Sequence, residues 1–189
     1  MDIYHIILFL HIVALLVAAG ATAVMKLAMG RRARARTVGE VLDWHNVLMG
    51  TSKLFPLCLA AFVLTGSYML SVNRLNVWST GFVVAGLVGV ALLLVSGVFL
   101  ATKGKALKQM LEGLAKNGGN QPAPKLVAPP LLAALPFINT FIALGVALDM
   151  VTKPASIPVA LSVVAIAIVL GAAVGLRRPA AVVEEVRTA

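Results

Sequence analysis

The sequence predicts an all-α fold, a polytopic membrane helix bundle with five transmembrane helices, the N-terminus outside and the C-terminus inside. Hydrophobic residues make up 60% of the chain and charged residues 12%, whereas soluble domains carry about 45–50% apolar and about 25% charged residues. The mean hydropathy is +0.99. In addition, long apolar runs alternate with gaps that are in turn rich and poor in Lys and Arg.

Five apolar runs are long enough to form spans, since about 20 helical residues cross the ~30 Å hydrocarbon layer of a bilayer. They cover residues 3–25, 47–70, 81–101, 130–151 and 157–176. The first run does not follow the pattern of a cleaved signal peptide, because its positive cluster comes after the run. We therefore predict a retained first helix whose N-terminus is translocated.

The basic residues predict the orientation of the bundle. The four gaps and the tail hold, in order, five, one, five, one and three Lys or Arg residues. These are Lys26, Arg31, Arg32, Arg34 and Arg36; Arg74; Lys103, Lys105, Lys108, Lys116 and Lys125; Lys153; and Arg177, Arg178 and Arg187. Cytoplasmic loops carry the excess of Lys and Arg, so this alternation places the C-terminus inside. It also explains the net charge of +9 without a nucleic-acid partner.

The third gap contains two further features. Apolar residues at helical spacing predict either an amphipathic helix on the inner surface over 103–116 or an extension of the third span. Residues 117–125 are rich in Gly and Pro and predict a flexible linker between three helices and two. Because neither part is large enough to stand alone, we predict a single membrane domain over 1–189.

Small residues and prolines predict how the spans pack. Lipid is as apolar as leucine, so membrane helices associate where small residues let backbones approach. The candidates are Ala14, Ala18 and Ala21 on the first span, Ala85 and Gly89 on the third, and Gly171 and Gly175 on the fifth. Pro56 and Pro136 fall inside spans and should kink them. The one cysteine, Cys58, has no partner for an internal disulfide and is interpreted as a packing residue.

His11 is the principal candidate for chemistry, because a polar ring at membrane depth is costly. It lies roughly 12 Å along the first span by helical rise. Tyr4 shares its face, and the small residues Ala14, Ala18 and Thr22 lie nearby. One interpretation is an axial ligand for haem b, with the small residues giving room to the macrocycle, or a ligand for copper or iron. The other is a neutral histidine bonded to a carbonyl or hydroxyl of another helix.

Other polar residues on or near the spans are further candidates for ligands or for bonds between helices. His5 does not share a face with His11; it either lies at the headgroup level, where a histidine costs little, or binds a metal together with Asp149. The alternative for Asp149 is an ion pair with Lys153 four residues on. Lys53 lies inside the second span, where it either snorkels to the inner surface or pairs with a haem propionate. His45 is expected at the inner interface. Helix-to-helix hydrogen bonds account for Asn139 and Thr140.

Several short motifs carry a family resemblance over about residues 4–154. They are Leu10-His11-Ile12, the arginine cluster, Lys53-Leu54-Phe55-Pro56, Thr65-Gly66-Ser67-Tyr68-Met69-Leu70 and Met150-Val151-Thr152-Lys153-Pro154. The sequence resembles a group of small bacterial integral membrane proteins that is distantly similar to haem-binding protoporphyrinogen oxidases and to the membrane domain of copper-resistance D proteins. The resemblance implies that His11 ligates haem. The oxidases carry a lysine early in helix three that is missing here, which argues against oxidase activity.

Taken together, the sequence favours a multi-pass protein of the bacterial inner membrane that binds haem b or a transition metal at His11 and serves redox or cofactor handling. The alternative is a non-catalytic subunit or scaffold whose histidines tie helices together, with no cofactor. A membrane redox complex or a homo-oligomer is the expected protein partner, beside the lipid bilayer. No constellation of side chains supports a hydrolase or a transferase, and whether the protein is an enzyme stays open.

Overall fold

The computed structural model describes residues 2–116, 118–124 and 129–177, and over these residues the chain is helical without strands. Six helices follow one another, and we number them in chain order. They are α1 (Ile3–Arg32), α2 (Val38–Ser52), α3 (Leu54–Val72), α4 (Gly81–Lys116), α5 (Pro130–Thr152) and α6 (Ile157–Arg177). Because α2 and α3 together form one apolar segment, the described residues contain five helical segments able to cross a membrane. The prediction of five spans is confirmed.

The second span is longer than predicted and is interrupted. It begins at Val38 and breaks at Lys53, where α2 ends and α3 begins. Pro56 accounts for the break, because its ring clashes with the carbonyl four residues earlier, that of Ser52, and it has no N–H to donate. The predicted disturbance of this span by Pro56 is therefore confirmed. In contrast, α5 runs through Pro136 as one helix.

Helix α4 decides between the two alternatives for the segment 103–116. It is a single helix of 36 residues, about 54 Å long at 1.5 Å per residue. The segment is thus an extension of the third span, and a separate surface helix is not formed. Leu111 on the extension is fully buried, whereas Met110 is 46% exposed. Lys108 and Glu112, one turn apart on the extension, form an ion pair at 3.6 Å.

The chain divides into two compact units. The first unit contains residues 1–74 and 101–124, and the second contains residues 75–100 and 125–189. The predicted division into three helices and then two is wrong, since the first part of α4 groups with α5 and α6. Lys125, Arg178 and Arg187 of the predicted basic clusters lie outside the described residues. The prediction of a single domain stays a prediction.

In the first unit, α1 packs along α2 and α3 through a seam of small residues. Ala14, Ala21 and Ala28 recur every seven residues and are 7%, 4% and 1% exposed. A seven-residue repeat keeps one narrow face of a helix toward its partner. Because the side chains of this face are single methyl groups, the helices approach closely without a large apolar side chain between them.

The start of α2 explains why part of the predicted linker is held in place. The Thr37 hydroxyl accepts a hydrogen bond from the Glu40 N–H, which caps the helix. Two further N–H groups, those of Val38 and Gly39, donate to the carbonyls of Gln121 and Gly119 at 3.0 Å. Residues 118–124 therefore complete the start of α2 with main-chain hydrogen bonds, and the flexibility of the linker stays a prediction.

In the second unit, glycines bring α5 and α6 into backbone contact. A methyl group placed on Gly171 would lie 2.6 Å from the Ile138 Cα, and one on Gly175 would lie 2.6 Å from the Ala134 Cα. Gly89 of α4 would likewise collide with Val146. The predicted packing role of these glycines is confirmed.

Polar and apolar side chains on the spans have different surroundings. Ser96 Oγ of α4 and Asn139 Oδ1 of α5 lie 2.8 Å apart, which confirms the predicted helix-to-helix bond for Asn139. Thr140 instead donates to the Pro136 carbonyl of its own helix. Large apolar side chains lie on the outside of every span, for example Leu16, Leu64, Val95, Leu144 and Val169. This surface suits contact with lipid.

The glycine contacts predict a difference between two alanine substitutions. Gly171→Ala should destabilise the protein by about 1–3 kcal/mol, because the added methyl group forces α5 and α6 apart. Gly97→Ala on α4 is the matched control, since nothing lies within 4 Å of its added methyl group. Thermal unfolding in detergent measures both. Equal midpoints for the two variants would contradict the close approach.

The orientation stays a prediction, and it can be tested with single cysteines. Asn76→Cys and Lys105→Cys both replace exposed side chains. If the N-terminus is outside, a membrane-impermeant maleimide should label Asn76→Cys in intact cells and Lys105→Cys only after lysis. Cys58, which is 5% exposed, serves as the unlabelled background. The opposite labelling order would reverse the proposed topology.

Candidate functional site

His11 is held by two residues of α3, both in the first unit. Its Nδ1 lies 2.7 Å from the Thr65 hydroxyl. Its ring and that of Phe62 pack edge-to-face with their centroids 5.1 Å apart. The Thr65 oxygen is also 2.5 Å from the Ala61 carbonyl oxygen. A carbonyl can only accept, so the single hydroxyl proton of Thr65 points to Ala61. His11 must then donate from Nδ1, which leaves Nε2 as the nitrogen with the lone pair.

The small residues near His11 are buried or half-buried where α1 packs against its neighbours. Ala14 is only 7% exposed because it packs in the seam, and Ala18 and Thr22 are half-buried. The Thr22 hydroxyl donates to the Ala18 carbonyl at 2.8 Å. The expectation that Ala14 leaves room for a macrocycle is therefore wrong. Any planar ligand would have to meet His11 from the side of Nε2.

Tyr4 and Lys53 are not brought to His11. Tyr4 is half-buried, and its ring packs edge-to-face with that of the neighbouring His5, with the ring centroids 5.9 Å apart. Lys53 is exposed at the break between α2 and α3, which is twelve residues from Thr65 and hence about 18 Å along the helix by its rise. The exposed side chain fits the snorkelling alternative. The three candidates do not form one compact site.

A second histidine joins helices by hydrogen bonds toward the other end of the same seam, and we call each such set of bonds a histidine link. His45 is 3% exposed; its Nδ1 is 3.0 Å from a guanidinium nitrogen of Arg32, and its Nε2 is 2.9 Å from the Gly104 carbonyl. Because a guanidinium can only donate, Nδ1 accepts and Nε2 carries the proton. The link joins α1, α2 and the extension of α4, and it uses both ring nitrogens.

The link between Arg32 and His45 was missed by sequence reasoning. The sequence analysis assigns Arg32 to a basic cluster that determines membrane orientation, and it expects His45 at the inner interface. One signal was available: Arg32 continues the seven-residue repeat of His11, Ala18 and Met25. That repeat puts Arg32 on the packed face of α1, where a cation needs a partner.

His5 and Asp149 lie in different units, and their joint role as metal ligands stays a prediction. His5 is 69% exposed, with Nδ1 4.0 Å from the Asp2 carboxylate. Asp149 is fully buried, and neither of its carboxylate oxygens has a hydrogen-bond partner among the described residues. The predicted ion pair between Asp149 and Lys153 is therefore wrong.

Metal sites and haem sites differ in the number of protein ligands that they need. Among residues 2–116, 118–124 and 129–177, no three His, Cys, Asp or Glu side chains come together as a metal site. Structural zinc and most mononuclear copper sites need three or four protein ligands. Haem needs only one or two axial ligands, since the macrocycle supplies the others.

The fold and these links define a multi-pass helical membrane protein with histidine-mediated bonds between its helices. Comparison with protein-family models, with characterised proteins and with solved structures found no match to this chain. The resemblance to protoporphyrinogen oxidases and to the copper-resistance D domain accordingly stays a prediction.

The geometry of His45 predicts a loss of stability on its removal. His45→Ala should destabilise the first unit by about 1–3 kcal/mol, because it leaves the Arg32 guanidinium and the Gly104 carbonyl without their shared partner. His5→Ala is the matched control, since an exposed pair such as His5 and Asp2 contributes little. Unfolding midpoints in detergent compare the two variants. A midpoint for His45→Ala equal to that of His5→Ala would show that the link adds no stability.

Proposed function

We propose that this protein binds haem b through Nε2 of His11 and serves redox or cofactor handling in a membrane. One observation supports the proposal most directly: the hydrogen bond from His11 Nδ1 to Thr65 leaves Nε2 as the unprotonated nitrogen. Metal-binding histidines commonly donate their other ring N–H to a carboxylate, carbonyl or water, which fixes the tautomer and the ring orientation. The Thr65 hydroxyl takes that position here.

The surroundings of the ring support haem over other cofactors. Haem iron, when bound, would supply one-electron redox chemistry, and its apolar macrocycle suits contact with lipid-facing side chains. Ile12 and Leu15, on α1 beside His11, are 47% and 42% exposed. The chain's own part in this proposal is to hold the imidazole with Thr65 and Phe62.

A second candidate function is that of a structural membrane subunit without a cofactor. It is favoured by the fact that both links use a histidine to join helices, His11 to Thr65 and His45 to Arg32 and Gly104. In that case a larger membrane complex or a homo-oligomer is the partner. The inner membrane of a bacterium, proposed from the basic loops and the resemblance, suits either function.

The absorption spectrum of the purified protein separates these candidates. We expect a Soret band that His11→Ala abolishes and that His5→Ala leaves unchanged. Thr65→Val should weaken haem binding about 10–100-fold, the usual cost of removing a hydrogen-bond partner behind a metal-binding histidine. A pyridine haemochrome assay with metal analysis identifies the cofactor.

Three other outcomes would decide against the proposal. A colourless, metal-free preparation that co-purifies with a larger complex would favour the structural subunit. Metal uptake without haem would point to the copper-type alternative. A Soret band that survives His11→Ala, in a variant that folds, would place the ligand elsewhere.

A further inference from the structure

Asp149 has an unusual environment in the second unit. It lies in the last turn of α5, its exposed fraction is 0%, and both carboxylate oxygens lack a hydrogen-bond partner among the described residues. Buried polar groups are almost always hydrogen-bonded, and ionisable residues within membrane spans mark functional sites by default. A fully buried carboxyl group with no partner therefore calls for a ligand.

The residues that the helix contacts place near Asp149 are small or apolar. On the same face of α5, Gly145 approaches Ala167 and Val163 of α6. Since α5 and α6 are antiparallel, four residues further along α5 correspond to about four residues back along α6, near Ala160. Ala160 is fully buried, as is Ala85 of α4. These two alanines belong to one buried cluster with Val164, against which Val146 of α5 packs.

No positive charge lies on the helical stretches that pack beside Asp149. Residues 81–100 of α4 and 157–176 of α6, all described, contain no ionisable side chain, and Asp149 is the one such residue in α5. Arg177 is at the far end of α6. Lys153 is exposed, and its N–H donates to the Asp149 main-chain carbonyl at 2.8 Å. An ionised carboxylate would thus have no compensating charge among the described residues of these helices, which is the costly case.

The loop that follows Asp149 is tied to the start of α4. Gly81 N–H donates to the Ala155 carbonyl and Phe82 N–H to the Pro154 carbonyl, each at 3.1 Å. A methyl group on Gly81 would lie 2.6 Å from the carbonyl oxygens of Pro154 and Ser156, so glycine is needed for this approach. These contacts hold the loop against the helix end, one turn beyond Asp149.

We propose that Asp149 is a proton-binding site, a carboxyl group held in its neutral, protonated form inside the second unit. A proton neutralises the carboxylate without any further ligand, whereas Ca²⁺ or Mg²⁺ would need about six oxygen ligands. Glycine, alanine and valine side chains cannot supply these. The proposal is independent of haem binding at His11.

Infrared spectroscopy of the reconstituted wild-type protein tests this site. We expect at neutral pH the carbonyl band of a protonated carboxylic acid, which ionised carboxylates lack. The band should shift when the protein is made with aspartate labelled with heavy carbon in its carboxyl group. Only Asp2, Asp43 and Asp149 carry the label, and the first two are exposed. This measurement uses the wild-type protein and does not depend on the folding of a variant.

Two variants complete the test. Asp149→Asn should remove the band while keeping the fold, because the amide is neutral and of similar shape. Glu112→Gln, at an exposed carboxylate paired with Lys108, should leave the band and reduce only the carboxylate absorption. Carboxylate bands that disappear in Asp149→Asn would overturn the proposal. So would conversion of the acid band to carboxylate bands on adding Na⁺, K⁺ or Ca²⁺ at fixed pH, which would make the site a cation site.

Discussion

Close approach of helix backbones at glycine and alanine is the interaction on which both units depend. In lipid, separating two helices exposes no apolar surface to water, so the hydrophobic effect does not hold them together. Dispersion contacts remain, and each is small, so many atoms must meet at short distance. The alanines at 14, 21 and 28 allow this in the first unit, and Gly171 and Gly175 allow it in the second.

Packing by methyl groups alone leaves the relative shift of two helices weakly specified, and hydrogen bonds supply the missing specificity. His11 pairs with Thr65 and Arg32 with His45, and the two pairs fit one antiparallel register of α1 against α2 and α3. Ser96 and Asn139 connect α4 and α5 in the second unit. Since each of these groups would be costly without its partner in an apolar environment, a shift by one turn is disfavoured. Polar residues thus fix the register that small residues permit.

Much of the fold could be predicted from the sequence, because it depends on length, hydropathy and local chemistry. The five spans, the break caused by Pro56 and the packing roles of Gly171 and Gly175 are of this kind. The partners of polar groups could not be predicted, because a helical repeat gives the face of His11 and not the residue opposite. Asp149 and Lys153 show a second limit. Their spacing suits an ion pair only on a continuous helix, and Lys153 adopts φ 49°, which ends the helix.

The two histidines differ in whether their second ring nitrogen is already hydrogen-bonded. This difference restricts the haem hypothesis to His11. His45 uses both ring nitrogens, one toward Arg32 and one toward Gly104, so it has no lone pair left for a metal. His11 uses Nδ1 for Thr65 and keeps the lone pair on Nε2. Haem binding and a purely structural role therefore require the same hydrogen bond between His11 of α1 and Thr65 of α3. They differ in what contacts Nε2, and a hydrogen bond that serves the fold can also prepare that nitrogen for iron.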